Sequence, residues 1–397
     1  MHPGRILLAG LRRSASVASS VAQSPKVIWS SRYFHSASGS TFGEGGSAAK
    51  ELPDPFALIK EEVSEVTNRL RSMVVAEVPE LTSAAGYFFR AGAEGKRTCP
   101  TVLLLMASAI STGMSDPIVG SENKPRARHM RVAEITEMIH ISSLIHDDVL
   151  DNADTRRGMD SLNFTVGKKL AVLAGDFLLF RAFSAAVALE ILRCDVVSLL
   201  ATAVNNLVTG ELMQLTITPA QRCSMDYYLQ KTYYKTAALI SNSCKAIAVL
   251  SGQTTEVQAL AYQYGRHLDD PLYKSLPGYS ISVDILDFTG TSASLGKASF
   301  TDINQGIVTA PVLFAMEEFP QLREIVEQGF DDPSNVDVVL KYLQKSQGIE
   351  RTRLLAAEHA KLAAVAIDDL PASEDPVVLS SRQALKDLTQ KFLRRTK

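Results

Sequence analysis

The sequence predicts an all-α protein, a single large helical bundle with its functional loops gathered at one end. Three observations support this. Apolar residues recur at three- and four-residue spacing through most of the chain after residue 50, strand-like alternation is scarce, and the Gly/Pro-rich breaks are short. With 46% of its 397 residues hydrophobic, the chain can bury a sizeable core. A formal net charge of −2 gives no basic field of the kind that nucleic acid attracts.

Residues 1–43 contain no Asp or Glu and carry Arg5, Arg12, Arg13, Lys26 and Arg32 among many Ser and Ala; Glu44 is the first acid. That composition predicts an organelle transit peptide over 1–45, with the folded domain spanning 46–397. The apolar run Ile6–Leu11 is too short for a secretory signal. Arg32-Tyr33-Phe34 resembles a mitochondrial processing site, so a mitochondrial address is expected, with a plastid as the alternative.

Helices are then expected over 56–78, 100–111, 130–150, 170–192, 196–214, 226–250 and 255–268, with breaks at 113–125 and 289–296. The most apolar run, Leu170–Leu192, is interrupted by Asp176 and Arg181 and reads as a buried bundle helix rather than a transmembrane segment. Past residue 330, helical stretches such as 350–370 alternate with turns at Asp332-Pro333, Pro371 and Asp375-Pro376. Cys99, Cys194, Cys223 and Cys244 form no CxxC pair, which suggests neither zinc nor a disulfide framework.

Chemistry concentrates at His146-Asp147-Asp148-Val149-Leu150-Asp151, which ends an apolar helix. At 100° per residue, His140, Asp147 and Asp151 fall within about 40° of one another on the helix surface, and Ser143 shares the stripe. Asp147 and Asp151 are one turn apart, so their like charges repel, by roughly a few tenths of a kcal/mol on an exposed helix and more when shielded from water. Magnesium would relieve this, since it takes one or two carboxylates and completes its octahedron with water and phosphate. Arg156-Arg157-Gly158 follows within two turns, and two arginines beside paired carboxylates suit a metal–diphosphate pair. Lys96-Arg97 stands just before a helix expected from Pro100, where backbone N–H groups favour anions.

Residues 147–158 resemble the first aspartate-rich motif, with its Arg-Arg-Gly tail, of trans-type long-chain polyprenyl diphosphate synthases. The likeness extends in order over roughly residues 55–397. It implies an isoprenoid synthase-type helical bundle with a central cavity, in which isopentenyl diphosphate is condensed with an allylic diphosphate. It further implies that Asp147 and Asp151 bind Mg2+, with Asp148 supporting them. Arg156 would hold the allylic diphosphate. Lys96, Arg97, His140 and Arg157 would hold substrate diphosphates, that of isopentenyl diphosphate in the case of His140 and Arg157. Ala174–Leu179 matches a family stretch whose Gly175 allows close helix packing, and Lys235-Thr236 matches a pair that holds the allylic diphosphate.

Two departures stand out. Cys99 replaces an arginine that contacts isopentenyl diphosphate in the family, which predicts weaker binding of that substrate. In the second aspartate-rich motif Asp284 and Asp287 match, as does Lys297 beyond it, with Asp284 a further metal ligand; Val283 and Ser280 stand where aspartate and glutamine belong. Segment 269–283 is longer than the family's helix allows, and Pro271, Pro277 and Gly278 would break that helix. A non-catalytic partner subunit of a hetero-oligomeric synthase, or a terpene cyclase of the same fold, therefore stays open. Ser142 and Ser143 occupy the positions that set chain length in the family. Small residues there imply a long product, such as solanesyl or decaprenyl diphosphate, for the ubiquinone side chain. The resemblance also implies a homodimer or a hetero-oligomer with a related subunit, and peripheral membrane association through the product.

Overall fold

The structure is a computed structural model. It describes residues 54–89, 97–111, 125–156, 159–188, 194–268, 284, 285, 288, 301–330 and 332–393. The chain divides between Ala48 and Ala49, and all described residues belong to the second unit. The expected transit peptide lies outside the described residues, as do segment 269–283 (with Ser280 and Val283), Lys96, Arg157, Asp287 and Lys297.

The described chain is helical, as expected. In order it forms α1 (Lys60–Met73), α2 (Pro79–Ala85), α3 (Thr98–Ala109), α4 (Pro125–Leu150), α5 (Leu162–Val166), α6 (Lys168–Val187), α7 (Cys194–Leu215), α8 (Pro219–Arg222), α9 (Met225–Thr232), α10 (Ala238–Leu250) and α11 (Thr255–His267). After these come α12 (Thr301–Asn304), α13 (Ala310–Glu318), α14 (Leu322–Gln328), α15 (Pro333–Leu343), α16 (Gly348–Asp368) and α17 (Pro376–Leu393). Among the described residues the sheet content is one two-residue hairpin, β1 (Thr155–Arg156) against β2 (Met159–Asp160).

Three boundaries differ from expectation. The first helix, expected over 56–78, spans only Lys60–Met73, and Pro79 starts a separate helix beyond that range after an extended Val78. The α4 helix begins at Pro125 rather than near Met130, since Pro is favoured in a helix's first turn. Helices α9 and α10 are joined by a π-turn over Tyr233–Ala237, and such wider turns recur at functional sites.

α4 runs through the centre, packed on α3, α6 and α10; α10 packs in turn on α7 and α11, and α11 on α16. Leu103, Leu104, Ile135, Met138, Ile139 and Tyr264 are fully enclosed in one continuous apolar core. Close approach is built from glycine. A Cβ on Gly265 in α11 would lie 2.7 Å from the Ser241 Cα of α10, and one on Gly210 in α7 would lie 2.6 Å from the Lys235 Cγ.

Helix α6 is less covered than the buried bundle helix expected over Leu170–Leu192, and α7 is similarly exposed. Each is long and apolar enough to cross a membrane. Each buries one face in the bundle but leaves large apolar side chains outside, including Phe180, Val187, Val208 and Leu212. Composition reports that a helix is apolar throughout; it does not report how many of its faces the same chain covers.

Candidate active site

Helix α4 delivers the first acidic motif at its C-terminal end, and consecutive residues there diverge by about 100°. Asp147 and Asp148 therefore serve different neighbours.

Asp148 faces the β-hairpin. Arg156 binds it through two parallel bonds, Nε to Oδ2 at 2.5 Å and Nη2 to Oδ1 at 2.6 Å. The same Nη2 reaches the Leu144 carbonyl at 3.3 Å. Both side chains are buried. This fork geometry is specific to arginine and holds the hairpin against the helix end. The Arg156 guanidinium also lies 5.8 Å from the Phe88 ring centroid. Phe88 in turn accepts a bond from Arg97 Nη2 at 3.0 Å, and Arg97 Nη1 donates to Glu137 Oε1 at 2.8 Å. Glu137 lies one turn before the buried His140 on α4, so Arg97 is tethered beside His140. Arg97 adopts a left-handed backbone, φ 49°, where it opens α3.

Asp147 faces α7 and the π-turn instead. Its carboxyl lies close to that of Glu211. Burial, first, and the Glu211 charge hold the Asp147 carboxyl well above the usual carboxylate range. Asp151 is pushed up to about 6, by burial first, with Lys235 acting in the opposite direction and Glu211 adding to the rise. Lys235, from the π-turn, is ion-paired with Glu211 and donates to Gln214 Oε1 at 3.2 Å. Thr236 is buried beside it in sequence.

A third group sits below. Asp284 is fully enclosed and accepts a bond from Tyr228 Oη at 2.5 Å. Asp302 of α12 is also buried. Both carboxylates act on Lys231, which burial, first, and Lys235 bring down to about 8. The sequence leaves Lys231 as free to be a surface residue as a site residue; the structure encloses it. A cavity of about 550 Å3 opens here, lined by Asp151, Gln214, Arg222, Lys231, Gly306 and Gly329 among others.

Several remaining candidates have clear places. Cys99 lies wholly inside the apolar core. Ser142 is buried and donates to the Gly175 carbonyl of α6 at 2.8 Å, so it serves helix packing. Ser143 is half-buried and donates to the His140 carbonyl at 2.8 Å. Gly175 permits the contact of α6 with α4, since a Cβ there would lie 2.3 Å from the His146 Nε2.

Glu211, Gln214 and Asp302 join the site without having been singled out from sequence. One signal was available for Glu211: it is an acid inside the otherwise apolar run Leu207–Leu215, directly after Gly210.

The residues fit a divalent cation. Asp151 Oδ2 is enclosed with no hydrogen-bond partner among the described residues, and Asp147, Asp151 and Glu211 crowd three carboxyl groups around one lysine. Among the described residues the acids do not form a closed metal cage by themselves. Magnesium does not require one, because substrate phosphate and water complete its shell.

A helical bundle with a carboxylate and two cationic side chains in the wall of one cavity, and further acids and bases close by, suits an enzyme that handles a diphosphate. The chain belongs to the polyprenyl synthetase family, whose profile matches residues 78–343. It is 59% identical over 373 residues to the mitochondrial solanesyl-diphosphate synthase 1 of Oryza sativa subsp. japonica, covering 93% of this chain and 85% of the relative. Among solved structures it resembles an apo medium/long-chain prenyl pyrophosphate synthase of Arabidopsis (51% identity, TM-score 0.68), over 87% of this chain and all of that one, 100%. A polyprenyl synthase of Caulobacter crescentus, solved with calcium and isoprenyl diphosphate, superimposes with a TM-score of 0.71 at 26% identity, over 87% of this chain and 98% of that one.

Proposed function

We propose that the chain is a long-chain trans-polyprenyl diphosphate synthase, condensing isopentenyl diphosphate with an allylic diphosphate in mitochondria to build the ubiquinone side chain. The observation that carries this reading is the division of charge at the end of α4. Asp147 and Asp151 face Glu211 and Lys235, while Arg156 is bound to Asp148 and Arg97 to Glu137 at other positions around the same helix. Two diphosphates need two such regions. The close likeness to a mitochondrial solanesyl-diphosphate synthase supports the substrate class, the length of the product and the compartment.

Mg2+ would be held by Asp147 and Asp151, with Asp284 as a further ligand, and when bound it supplies Lewis acidity to the departing diphosphate. The protein's own groups do the rest. Lys235 offsets charge that grows on the diphosphate as the allylic C–O bond breaks. Arg97 and His140 orient isopentenyl diphosphate so that its double bond attacks the allylic carbon. The proton lost in forming the new double bond passes to diphosphate, so no histidine base is required. The enclosed apolar core keeps water from the cation.

The chain further pairs with a second copy or a related subunit. The uncovered apolar faces of α6 and α7, with Phe180 71% and Val187 74% exposed, support this reading. The test is turnover by the purified chain with Mg2+, isopentenyl diphosphate and farnesyl or geranylgeranyl diphosphate, followed by chromatography of the dephosphorylated products. Long all-trans chains are expected. An inactive chain that becomes active only with a related subunit would make it the non-catalytic partner instead.

A further inference from the structure

Lys231 is 3% exposed. Burying an ammonium is costly unless it is paired and hydrogen-bonded. Its neighbour Lys235 meets that condition through Glu211 and Gln214. Lys231 does not: among the described residues no hydrogen bond or ion pair holds its Nζ, and the Tyr228 ring centroid lies 5.9 Å away. The acids that act on it, Asp284, Asp302 and Glu211, do so from beyond ion-pair distance. Glu211 is already paired with Lys235, and Asp284 accepts from Tyr228.

The enclosed lysine forms part of the wall of the 550 Å3 cavity, together with Asp151. Arg222 lines the same cavity. Its Nη1 donates to the Val326 carbonyl at 3.2 Å, while its Nε is buried without a partner among the described residues. Two under-satisfied cations thus border one cavity whose other wall bears a carboxylate suited to a metal. A ligand that answers both sides must carry several anionic oxygens and be able to chelate a divalent cation. A diphosphate does.

We propose that Lys231 is a diphosphate ligand, reached through this cavity, that contacts the allylic diphosphate and holds the pyrophosphate left when its carbon–oxygen bond breaks. The inference rests on the prenyl-transfer reading of the site and adds a residue to it. Heterolysis leaves the bonding pair on the diphosphate oxygen and a positive charge on the allylic carbon. The leaving group thereby gains one negative charge. An ammonium already fixed beside it attracts that group more strongly after cleavage than before, which favours ionisation. The allylic cation is consumed by the isopentenyl double bond, and the proton released joins the pyrophosphate.

The test compares the full chain with Lys231→Gln and Lys231→Arg. Inorganic pyrophosphate with Mg2+ and isopentenyl diphosphate are titrated separately by calorimetry. Lys231→Gln should bind pyrophosphate at least about tenfold more weakly, with isopentenyl diphosphate little changed, and Lys231→Arg should recover most of the loss. Equal pyrophosphate affinity in Lys231→Gln overturns the proposal. So does an equal loss for both ligands with a lowered melting temperature, since that marks a purely structural lysine. If the glutamine variant does not fold, the unaltered chain still decides. Acylation of Lys231 by an amine-reactive reagent, read by mass spectrometry, should be suppressed by magnesium pyrophosphate, and labelling equal with and without it overturns the proposal. Lysine-dependent pyrophosphate binding in a chain that makes no prenyl product would retire the functional reading and leave this site standing. Active enzyme with pyrophosphate binding indifferent to Lys231 would do the reverse.

Discussion

Replacing Asp151 by asparagine should stabilise the metal-free protein while disabling it. The Asp151 carboxyl is pushed from 3.8 to about 6, mainly by burial. A group whose folded-state pKa lies above its unfolded value contributes no penalty below about pH 4, where it is protonated in both states. The penalty grows between about pH 4 and 6 and is fully present above. A shift of about two units at 1.36 kcal/mol each sets a ceiling near 3 kcal/mol. Because Asp151 is only half-buried, about 2 kcal/mol is the better expectation at pH 8. In a domain of this size that corresponds to a rise of a few degrees in melting temperature. The asparagine amide can also donate to the neighbouring carboxylates, which aspartate cannot. Prenyl transfer should fall by at least about 10²-fold. The assay is thermal unfolding of both proteins from pH 4 to 8, with and without Mg2+ and pyrophosphate. The variant's advantage should be present at pH 8, shrink through pH 6 and vanish near pH 4, and the ligands should stabilise the unaltered protein alone. A variant that melts lower at pH 8, by the same margin at pH 4, would refute the claim that Asp151 is held at an electrostatic cost.

Glu211→Gln should act differently. Removing a charge beside Asp147 should lower that carboxyl's pKa, but it also leaves the buried Lys235 without its ion-pair partner, so the apo protein should melt lower at pH 8 while the Mg2+ concentration for half-maximal activity rises several-fold. Ser143→Phe should shift the products toward short chains on chromatography, whereas Ser142→Phe should mainly destabilise the fold, by about 1–3 kcal/mol, because it drives a ring into the α4–α6 contact. His129 is brought down to about 4, by burial first and then by Arg126 and Arg128. Its folded pKa lies below the unfolded 6.5, so stability is fully present above about pH 6.5 and is lost as the pH falls toward 4, by up to about 3 kcal/mol. His129→Gln should flatten that limb of the melting-temperature profile.

The helices were legible because burial of one or more faces imposes a 3.6-residue period, and α3, α4, α7 and α11 lie close to where that period places them. The first motif was legible because Asp147, Asp148 and Asp151 sit within a single turn of one helix, so their spacing alone fixes their proximity. The rest of the site comes from other helices, and nothing local marks it. Glu211 and Gln214 reach Asp147 and Lys235 only because Gly210 lets α7 approach the π-turn, and the π-turn itself leaves no trace in the apolar pattern. The pairing of Arg156 with Asp148 depends on a two-residue hairpin that folds the chain back on the helix end. Lys231 shows the limit most clearly. At four-residue spacing from Lys235 it reads equally as a surface or a site residue, and only the fold shows it enclosed and under the influence of Asp284 and Asp302.

The divergence of Asp147 and Asp148 also explains why neighbouring acids should fail differently. Asp148 is already neutralised by a two-bond arginine fork, so it acts as a strut that fixes the hairpin and Arg156. Asp147 is crowded by Glu211 and Asp151, with Lys235 as its opposing charge, so it is held ready for a cation that arrives with substrate. Asp148→Asn leaves Arg156 buried with a weakened partner, and breaking such a pair costs about 3–5 kcal/mol. Its activity loss should therefore come with a lower melting temperature. Asp147→Asn removes a group strained in the apo state, and its activity loss should come with an unchanged or higher one. Unfolding curves of the two variants at pH 8, set beside their turnover, separate the cases; matching stability losses would mean that both aspartates serve the fold alike.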